Sequence, residues 1–371
     1  MSPPLGVYIH WPYCARICPY CDFNVVRHRG GEQPARLARS ILDDLERQRA
    51  LTGPRALRSI FFGGGTPSLM DPDWAGKMIA ACRRLWDAEP DLEISLEANP
   101  TDAESDRFAG FADAGVNRLS LGLQSLDDDA LKFLGRNHDA AQARRAAQRA
   151  AIFPRLSLDL IYARPGQSPA AWREELRRAL DLGPEHVSPY QLTIEAGTAF
   201  DRAVRRGTWA PPDPDTGAEL FETTQAVLEA AGFDAYEVSN HAKGDAARSR
   251  HNLVYWQGCD YVGVGPGAHG RLTLSGARTA TQAPGRIADY LAGTGFEAEE
   301  LTPVEAAEER LLMGLRIDAG VGREEVAALG IPEARIASLV EAGLLADDPL
   351  RIRATRAGRL VLDRVTEALA V

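Results

Sequence analysis

Residues 5–24 read Leu5-Gly6-Val7-Tyr8-Ile9-His10-Trp11-Pro12-Tyr13-Cys14-Ala15-Arg16-Ile17-Cys18-Pro19-Tyr20-Cys21-Asp22-Phe23-Asn24, an apolar run that opens directly onto three cysteines. Leu5–His10 has the composition of a buried strand. The cysteines follow at C-x3-C-x2-C spacing, and thiolates are soft ligands for zinc or for iron–sulfur clusters. Three readings fit the residues. Cys18-Pro19-Tyr20-Cys21 is by itself a glutaredoxin-type dithiol, but that motif should open a helix, and Asp22-Phe23-Asn24-Val25 has no helical period. A structural zinc needs a fourth ligand, which His10 or His28 could supply. The third reading is a [4Fe–4S] cluster on Cys14, Cys18 and Cys21 with one iron left open for a ligand.

Working outward, short apolar runs alternate with amphipathic stretches. Strands are expected at Leu5–His10, Ser59–Phe62, Leu92–Glu97, Asn117–Leu121, Leu156–Tyr162 and His186–Thr193. Helices are expected at Pro34–Leu51, with Leu37, Ile41 and Leu45 on one face, and across Trp74–Trp86. Strands separated by helices imply parallel pairing in an α/β fold, a βα-repeat sheet or partial barrel. Chemistry in such folds sits at the carboxyl ends of the strands. A turn-rich break at Trp209–Pro214 precedes a helix at Glu219–Ala231. The expected division is a core over 1–235, an extension over 236–299 and a small, mostly helical domain over 300–371.

Composition bounds the partners. Of 371 residues, 42 are Lys or Arg and 52 are Asp or Glu, a net charge of −10. That balance disfavours nucleic acid, whose binding rests on neutralised phosphates. No run approaches the ~18 apolar residues of a membrane span. The opening Met1-Ser2-Pro3-Pro4 lacks the basic and apolar parts of a secretory signal. The expectation is a cytoplasmic protein that is not an integral membrane protein and meets a membrane only through a partner. Cys82 falls in a helical stretch and reads as core.

Tyr8 through Phe23 resembles the cluster loop of the radical S-adenosylmethionine (SAM) superfamily. Within it, the stretch is most similar to the branch of oxygen-independent coproporphyrinogen III dehydrogenases and the HemW heme chaperones. The resemblance implies a partial (βα)6-type barrel and a [4Fe–4S] cluster whose open iron is chelated by SAM. One electron then cleaves SAM to methionine and a 5′-deoxyadenosyl radical. Phe61-Phe62-Gly63-Gly64-Gly65-Thr66-Pro67 closes the second strand and is similar to the family's methionine-contacting GGGTP motif, which assigns Gly64, Gly65 and Thr66 to SAM. Glu97, Gln124, Arg136 and Asp159 stand at the ends of later strands and match the family's SAM-contacting positions, with Tyr8 and Tyr20 flanking the cluster. A carboxylate suits ribose hydroxyls, and an arginine suits a carboxylate. The chain departs from the pattern at Ala163-Arg164-Pro165-Gly166, where relatives often have Gly-Leu before Pro-Gly.

Ser249-Arg250-His251-Asn252-Leu253-Val254-Tyr255-Trp256 reads from composition as a strand whose His and aromatics pack into the core. It also resembles the HNxxYW heme motif of the chaperones, which implies heme contacts at His251, Asn252, Tyr255 and Trp256, with Cys259 a second candidate ligand by proximity. Gly265-Pro266-Gly267-Ala268-His269-Gly270 matches G-x-G-x-x-G but opens no helix, so it reads as a strand-ending turn near the cofactor pocket. The dehydrogenases carry a further cysteine two residues after the third, where this chain has Phe23, and a longer arm before the cluster. The resemblance therefore implies a heme carrier that delivers heme to respiratory apo-hemoproteins. The alternative is a dehydrogenase that decarboxylates coproporphyrinogen III, an activity judged the less expected. The electron donor and the acceptor are not legible.

Overall fold

The computed structural model describes residues 3–293 and 295–370; the Met1-Ser2 pair of the opening lies outside the described residues. Strand β1 (Leu5–Trp11) buries Leu5, Val7 and Ile9 completely. These residues belong to one apolar cluster with Leu37, Ile41 and Leu45 of helix α1 (Gln33–Thr52). The same alternation recurs in β2 (Ala56–Gly64), β3 (Asp87–Ala98), β4 (Arg118–Gln124), β5 (Arg155–Tyr162) and β6 (His186–Gln191). These are the six expected strands, each paired parallel to the next. Helices α2 (Pro72–Leu85), α3 (Ala140–Arg149) and α4 (Pro169–Leu180) lie between them. Each starts on a side-chain cap, from Asp71, Asp139 and Ser168 respectively, which satisfies one of the otherwise unpaired N-terminal N–H groups. Cys82 is fully buried on α2, as its helical position implied.

After α5 (Pro214–Ala230), the hairpin β7 (Asp234–Glu237) and β8 (Asn240–Ala242) adds antiparallel to β6. On the other flank β9 (Asp260–Val264) pairs parallel with β1, a seventh parallel strand that the sequence pattern did not reveal. Strands β10 (His269–Leu274), β11 (Ala277–Gln282) and β12 (Glu297–Glu300) continue outward, antiparallel. The sheet order is β12-β11-β10-β9-β1-β2-β3-β4-β5-β6-β8-β7, twelve strands that curve without closing. The α/β partial barrel is thus present, with hairpins extending both flanks.

Helix α7 (Pro303–Gly314) leads into a second apolar cluster that includes Leu311, Leu315, Val326, Leu345 and Val365. This part is mostly helical, with one two-stranded ribbon, Val321–Gly322 against Arg351–Ile352. The chain leaving α7 crosses the gap in the barrel. Val238 N donates to Arg316 O at 3.1 Å and Asp318 N donates to Tyr236 O at 2.9 Å, so this strap pairs with the β7 edge.

One expectation is corrected. Residues 250–256 form a helix, α6 (Arg250–Trp256), rather than a strand. Ser249 caps it by accepting from Asn252 N, and the buried Glu93 carboxylate accepts from His251 N at 3.1 Å. These two bonds outweigh the β preference of Val254, Tyr255 and Trp256. The Gly265-Pro266-Gly267 turn does end a strand and opens no helix. A Cβ on Gly265 would lie 2.3 Å from His10 O, and Asn24 Nδ2 donates to Pro266 O at 2.9 Å. The turn therefore braces the segment just beyond the third cysteine.

Candidate functional site

The cysteine loop is tied down at both ends. Tyr13–Cys14 pairs with Val26–Arg27, and Cys21 N donates to Cys18 O at 3.2 Å. No helix opens at Cys21, so the structure lacks the helix that the alternative dithiol reading requires. His10 has both ring nitrogens engaged, with Tyr8 Oη at 3.0 Å and Asn24 O at 2.8 Å, so it is not a fourth ligand for zinc. The glycine turn after β2 locks against the same loop. Gly65 N donates to Trp11 O at 2.8 Å and Thr66 N donates to Tyr13 O at 2.9 Å. A Cβ on Gly65 would sit 2.8 Å from the Pro12 carbonyl carbon, so only glycine allows the two backbones to approach this closely.

Above the strand ends lies a cavity of about 620 Å³. Cys14, Cys18 and Cys21 line one side; Gly64, Gly65, Thr66, Glu97, Gln124, Arg136, Asp159 and Tyr20 line the rest. The residues assigned to the cluster and to SAM thus converge, with Tyr8 the exception. Its ring lies beside the stacked Phe61 and His251 rings, and its hydroxyl is spent on His10. Residues that the motif reading missed also line the cavity, among them Asn99, Ser120, Tyr190 and Arg316. Asn99 was legible from Asn99-Pro100 at the end of β3; Arg316 comes from the strap and carried no signal.

The electrostatics call for a ligand. Glu97 lines the cavity, and burial together with the charge of Asp159 pushes its carboxyl up to about 8. Gly64 N donates to Glu97 Oε2 at 3.1 Å. Asp159 is also raised by burial; Ser120 Oγ donates to its Oδ2 at 2.8 Å, while Oδ1 is buried and unbonded. Among the described residues neither carboxylate is in an ion pair, and the Arg118 charge offsets the rise at Asp159 only in part, so the pair fits hydroxyl donors or positive charge, as a ribose and a sulfonium would provide. Arg136 spans the gap to the cysteines, with Nη1 3.4 Å from both Cys18 Sγ and Tyr20 Oη and Nη2 donating to Gly122 O at 3.1 Å. Its Nε is buried without a partner. Burial pushes the Cys14 thiol up to about 11, and Cys18 and Cys21 add to the rise. Burial also raises the Cys21 thiol, and the three cysteines line one wall of the cavity as soft donors of the kind that metal takes up.

Gln124 takes φ 61° at the bulge between β4 and β5, a left-handed conformation uncommon for a side-chain-bearing residue and concentrated at functional sites. Ala163 has φ 59°, so the position where relatives have glycine keeps the glycine conformation with an alanine in it. Arg164, in place of leucine, is buried against Glu175 and donates to Ser125 Oγ at 2.6 Å.

The residues of the heme motif lie apart from the cavity, on α6 at the floor of the barrel. His251 is 1% exposed, and its Nδ1 and Nε2 are hydrogen-bonded to Ser59 Oγ at 2.8 Å and Tyr255 Oη at 2.7 Å. The ring stacks on Phe61 with centroids 4.8 Å apart, and burial holds it near pKa 3. It is a neutral imidazole with no free nitrogen. Asn252 Nδ2 lies 3.4 Å from Asn240 Oδ1, and Trp256 lies under the Arg316 guanidinium at 4.8 Å. Cys259 is half-buried just past α6, where its backbone N donates to Val254 O.

A curved parallel sheet, a three-cysteine loop on its first strand and a cavity of strand-end carboxylates define a radical SAM protein. The chain belongs to the radical SAM superfamily, whose model matches residues 8–209; a HemN C-terminal domain model matches 301–361. The bovine mitochondrial radical S-adenosyl methionine domain-containing protein 1 is 40% identical, over 99% of this chain and 88% of that protein. The heme chaperone HemW of Mycobacterium tuberculosis H37Rv is 38% identical, over 99% and 95%, and that of Escherichia coli 41%, over 74% and 72%. Coproporphyrinogen III oxidase (HemN) of E. coli shares the fold with a TM-score of 0.82 over all of this chain and 91% of that one, at 20% identity. Among the described residues no helix is long and apolar enough to cross a membrane.

Proposed function

We propose that this protein is a heme chaperone built on the radical SAM fold, acting in the cytoplasm and delivering heme to apo-hemoproteins of respiration. The supporting observation is the end-to-end similarity to HemW chaperones, with Phe23 where the dehydrogenases carry their further cysteine. Cys14, Cys18 and Cys21 hold a [4Fe–4S] cluster. Tyr20, Gly64, Gly65, Thr66, Glu97, Gln124, Arg136 and Asp159 hold SAM, with Tyr8 acting through His10. The bound cluster supplies one-electron reduction to SAM. The protein's own groups orient the ligand: Arg136 holds a carboxylate against the cysteine loop, and Glu97 with Asp159 accept from hydroxyls. His251 meets heme iron only once one ring nitrogen is freed, by loss of its bond to Ser59 or to Tyr255, so α6 is a heme site that must open.

Titration of anaerobically reconstituted protein with heme, beside incubation with coproporphyrinogen III, SAM and reductant, tests the reading. Saturable heme binding without protoporphyrinogen is expected; repeated decarboxylation overturns it in favour of a dehydrogenase. His251→Ala separates the heme sites, because unchanged heme affinity in that variant removes α6 from the heme site.

A further inference from the structure

A second cavity, of about 310 Å³, lies away from the cysteines, at the seam between the barrel flank and the C-terminal part. Helix α5 gives it Phe221 and Gln225, the β7–β8 hairpin gives it Asp234 and His241, and the C-terminal part gives it Arg356 and Arg359. Two polar groups in its wall lack the partners that burial demands. His241 is 1% exposed, and burial together with the Arg359 charge holds its ring neutral, near pKa 3. Its Nε2 lies 3.3 Å from Gln225 Oε1, an oxygen that can only accept, so Nε2 carries the proton and Nδ1 is a bare acceptor. That Nδ1 is buried without a hydrogen bond. Arg359 donates to Ala235 O at 2.9 Å, and among the described residues it is in no ion pair. The acids that act on it most are already taken, Asp318 by Arg248 at 2.9 Å and Glu237 by Arg316 at 2.6 Å. Glu229, also in the wall, pairs with Arg356 at 3.2 Å.

We propose that this cavity binds a small oxyanion that also bears a hydroxyl, hydrogen phosphate or a phosphorylated polyol, with its oxygens on Arg359 and an O–H donated to His241 Nδ1. A half-buried cation without a counter-ion and a buried acceptor without a donor each cost free energy until they are paired, and such a ligand pairs both at once. The arginine fork suits the planar edge of an oxyanion. The exposed Asp234 carboxylate suits further hydroxyls rather than a second negative charge, which favours a polyol over a polyphosphate. Bound there, the anion ties the C-terminal part to the flank on which the strap is pinned, since Arg359 already reaches Ala235 on β7 and the strap's Asp318 N bonds the neighbouring Tyr236 O.

The test is calorimetric titration of the full chain with sodium phosphate and with sodium sulfate at neutral pH and constant ionic strength. Sulfate resembles phosphate in size and shape but has no O–H to give to Nδ1. Saturable phosphate binding is expected, about tenfold tighter than sulfate, the worth of one hydrogen bond to a buried acceptor. His241→Phe keeps a buried ring without the acceptor and should bring the two anions to equal affinity. Arg359→Gln should weaken both by about tenfold or more. Glycerol 3-phosphate separates the two sources: tighter binding than phosphate assigns the site to a phosphorylated polyol, and equal binding assigns it to free phosphate. A native chain that shows no saturable phosphate binding overturns the proposal, and so does a preference for phosphate that survives in His241→Phe. Should Arg359→Gln fail to fold, the comparison of the two anions on the native chain and on His241→Phe still decides.

Discussion

Glu97 offers a direct measurement of whether the cavity takes SAM. Burial and the neighbouring Asp159 raise its carboxyl to about 8, while a ligand offering hydroxyl donors or positive charge favours the ionised form. The sign follows from linkage. The empty site is largely protonated at neutral pH and must lose that proton on binding, so affinity rises with pH up to the shifted pKa and then levels. With a value near 8, about 3% of sites are ionised at pH 6.5 and about half at pH 8, so affinity increases roughly 16-fold over that interval. At pH 7, binding releases about 0.9 proton from this group, readable by calorimetry in buffers of different ionisation enthalpy. The amine of SAM titrates in a similar range, so Glu97→Gln supplies the reference, and the difference between the two profiles is the Glu97 contribution. Identical pH profiles and proton release in the native chain and Glu97→Gln would refute the assignment of this carboxylate to the ligand.

Three further outcomes follow from the packing. Gly65→Ala drives a Cβ to 2.8 Å from a backbone carbon that has nowhere to go; denaturant unfolding of the apo chain should show a loss of about 1–3 kcal/mol, accompanied by low iron retention. Glu93 lies fully buried between Arg118 at 3.7 Å and Arg155 at 3.4 Å. Glu93→Gln strands the buried Arg118 and should cost about 3–5 kcal/mol by the same assay. His251 is held neutral near pKa 3, so the unfolded chain takes up a proton first as pH falls below about 6.5, and stability declines from there toward pH 3. His251→Gln should flatten the fall in melting temperature with acidification without abolishing it, because burial also holds His186 and His241 neutral.

The parallel core was legible because each strand announces itself locally. Leu5–His10, Ser59–Phe62 and Leu156–Tyr162 are apolar runs bounded by turn residues, and the glycines at 63–65 mark a backbone contact that only glycine permits. The cavity residues were legible because motif positions fall at strand ends, where a parallel sheet collects its side chains. What escaped was decided by distant partners. Asp260–Val264, the strand that the Gly265 turn ends, finds its place only beside β1, some 250 residues away in sequence. Ser249–Trp256 carries a Ser cap signal, but its Val, Tyr and Trp favour a strand, and the deciding bond comes from Glu93 on another element. Tyr8 fits the family pattern by position, yet its hydroxyl is taken by His10. Arg316 reaches the cavity only because the strap crosses the barrel's gap.

That strap sets a mechanical property. Along most of the barrel, widening the bore would mean tearing a continuous ladder. Across the gap, the two flanks are joined by the backbone bonds of Arg316 and Asp318, the Arg316–Glu237 pair at 2.6 Å and the Arg248–Asp318 pair at 2.9 Å. Net contributions of about 1 kcal/mol per bond put the seam at a few kcal/mol, within reach of the binding energy of one ligand. The barrel is a split ring with a soft clasp, and the clasp carries Arg316, which touches both the cavity and Trp256 of the heme motif. Expansion to admit a flat, bulky guest would load this clasp, whereas release of α6 must also break its own bonds to Ser59, Glu93 and Asp91.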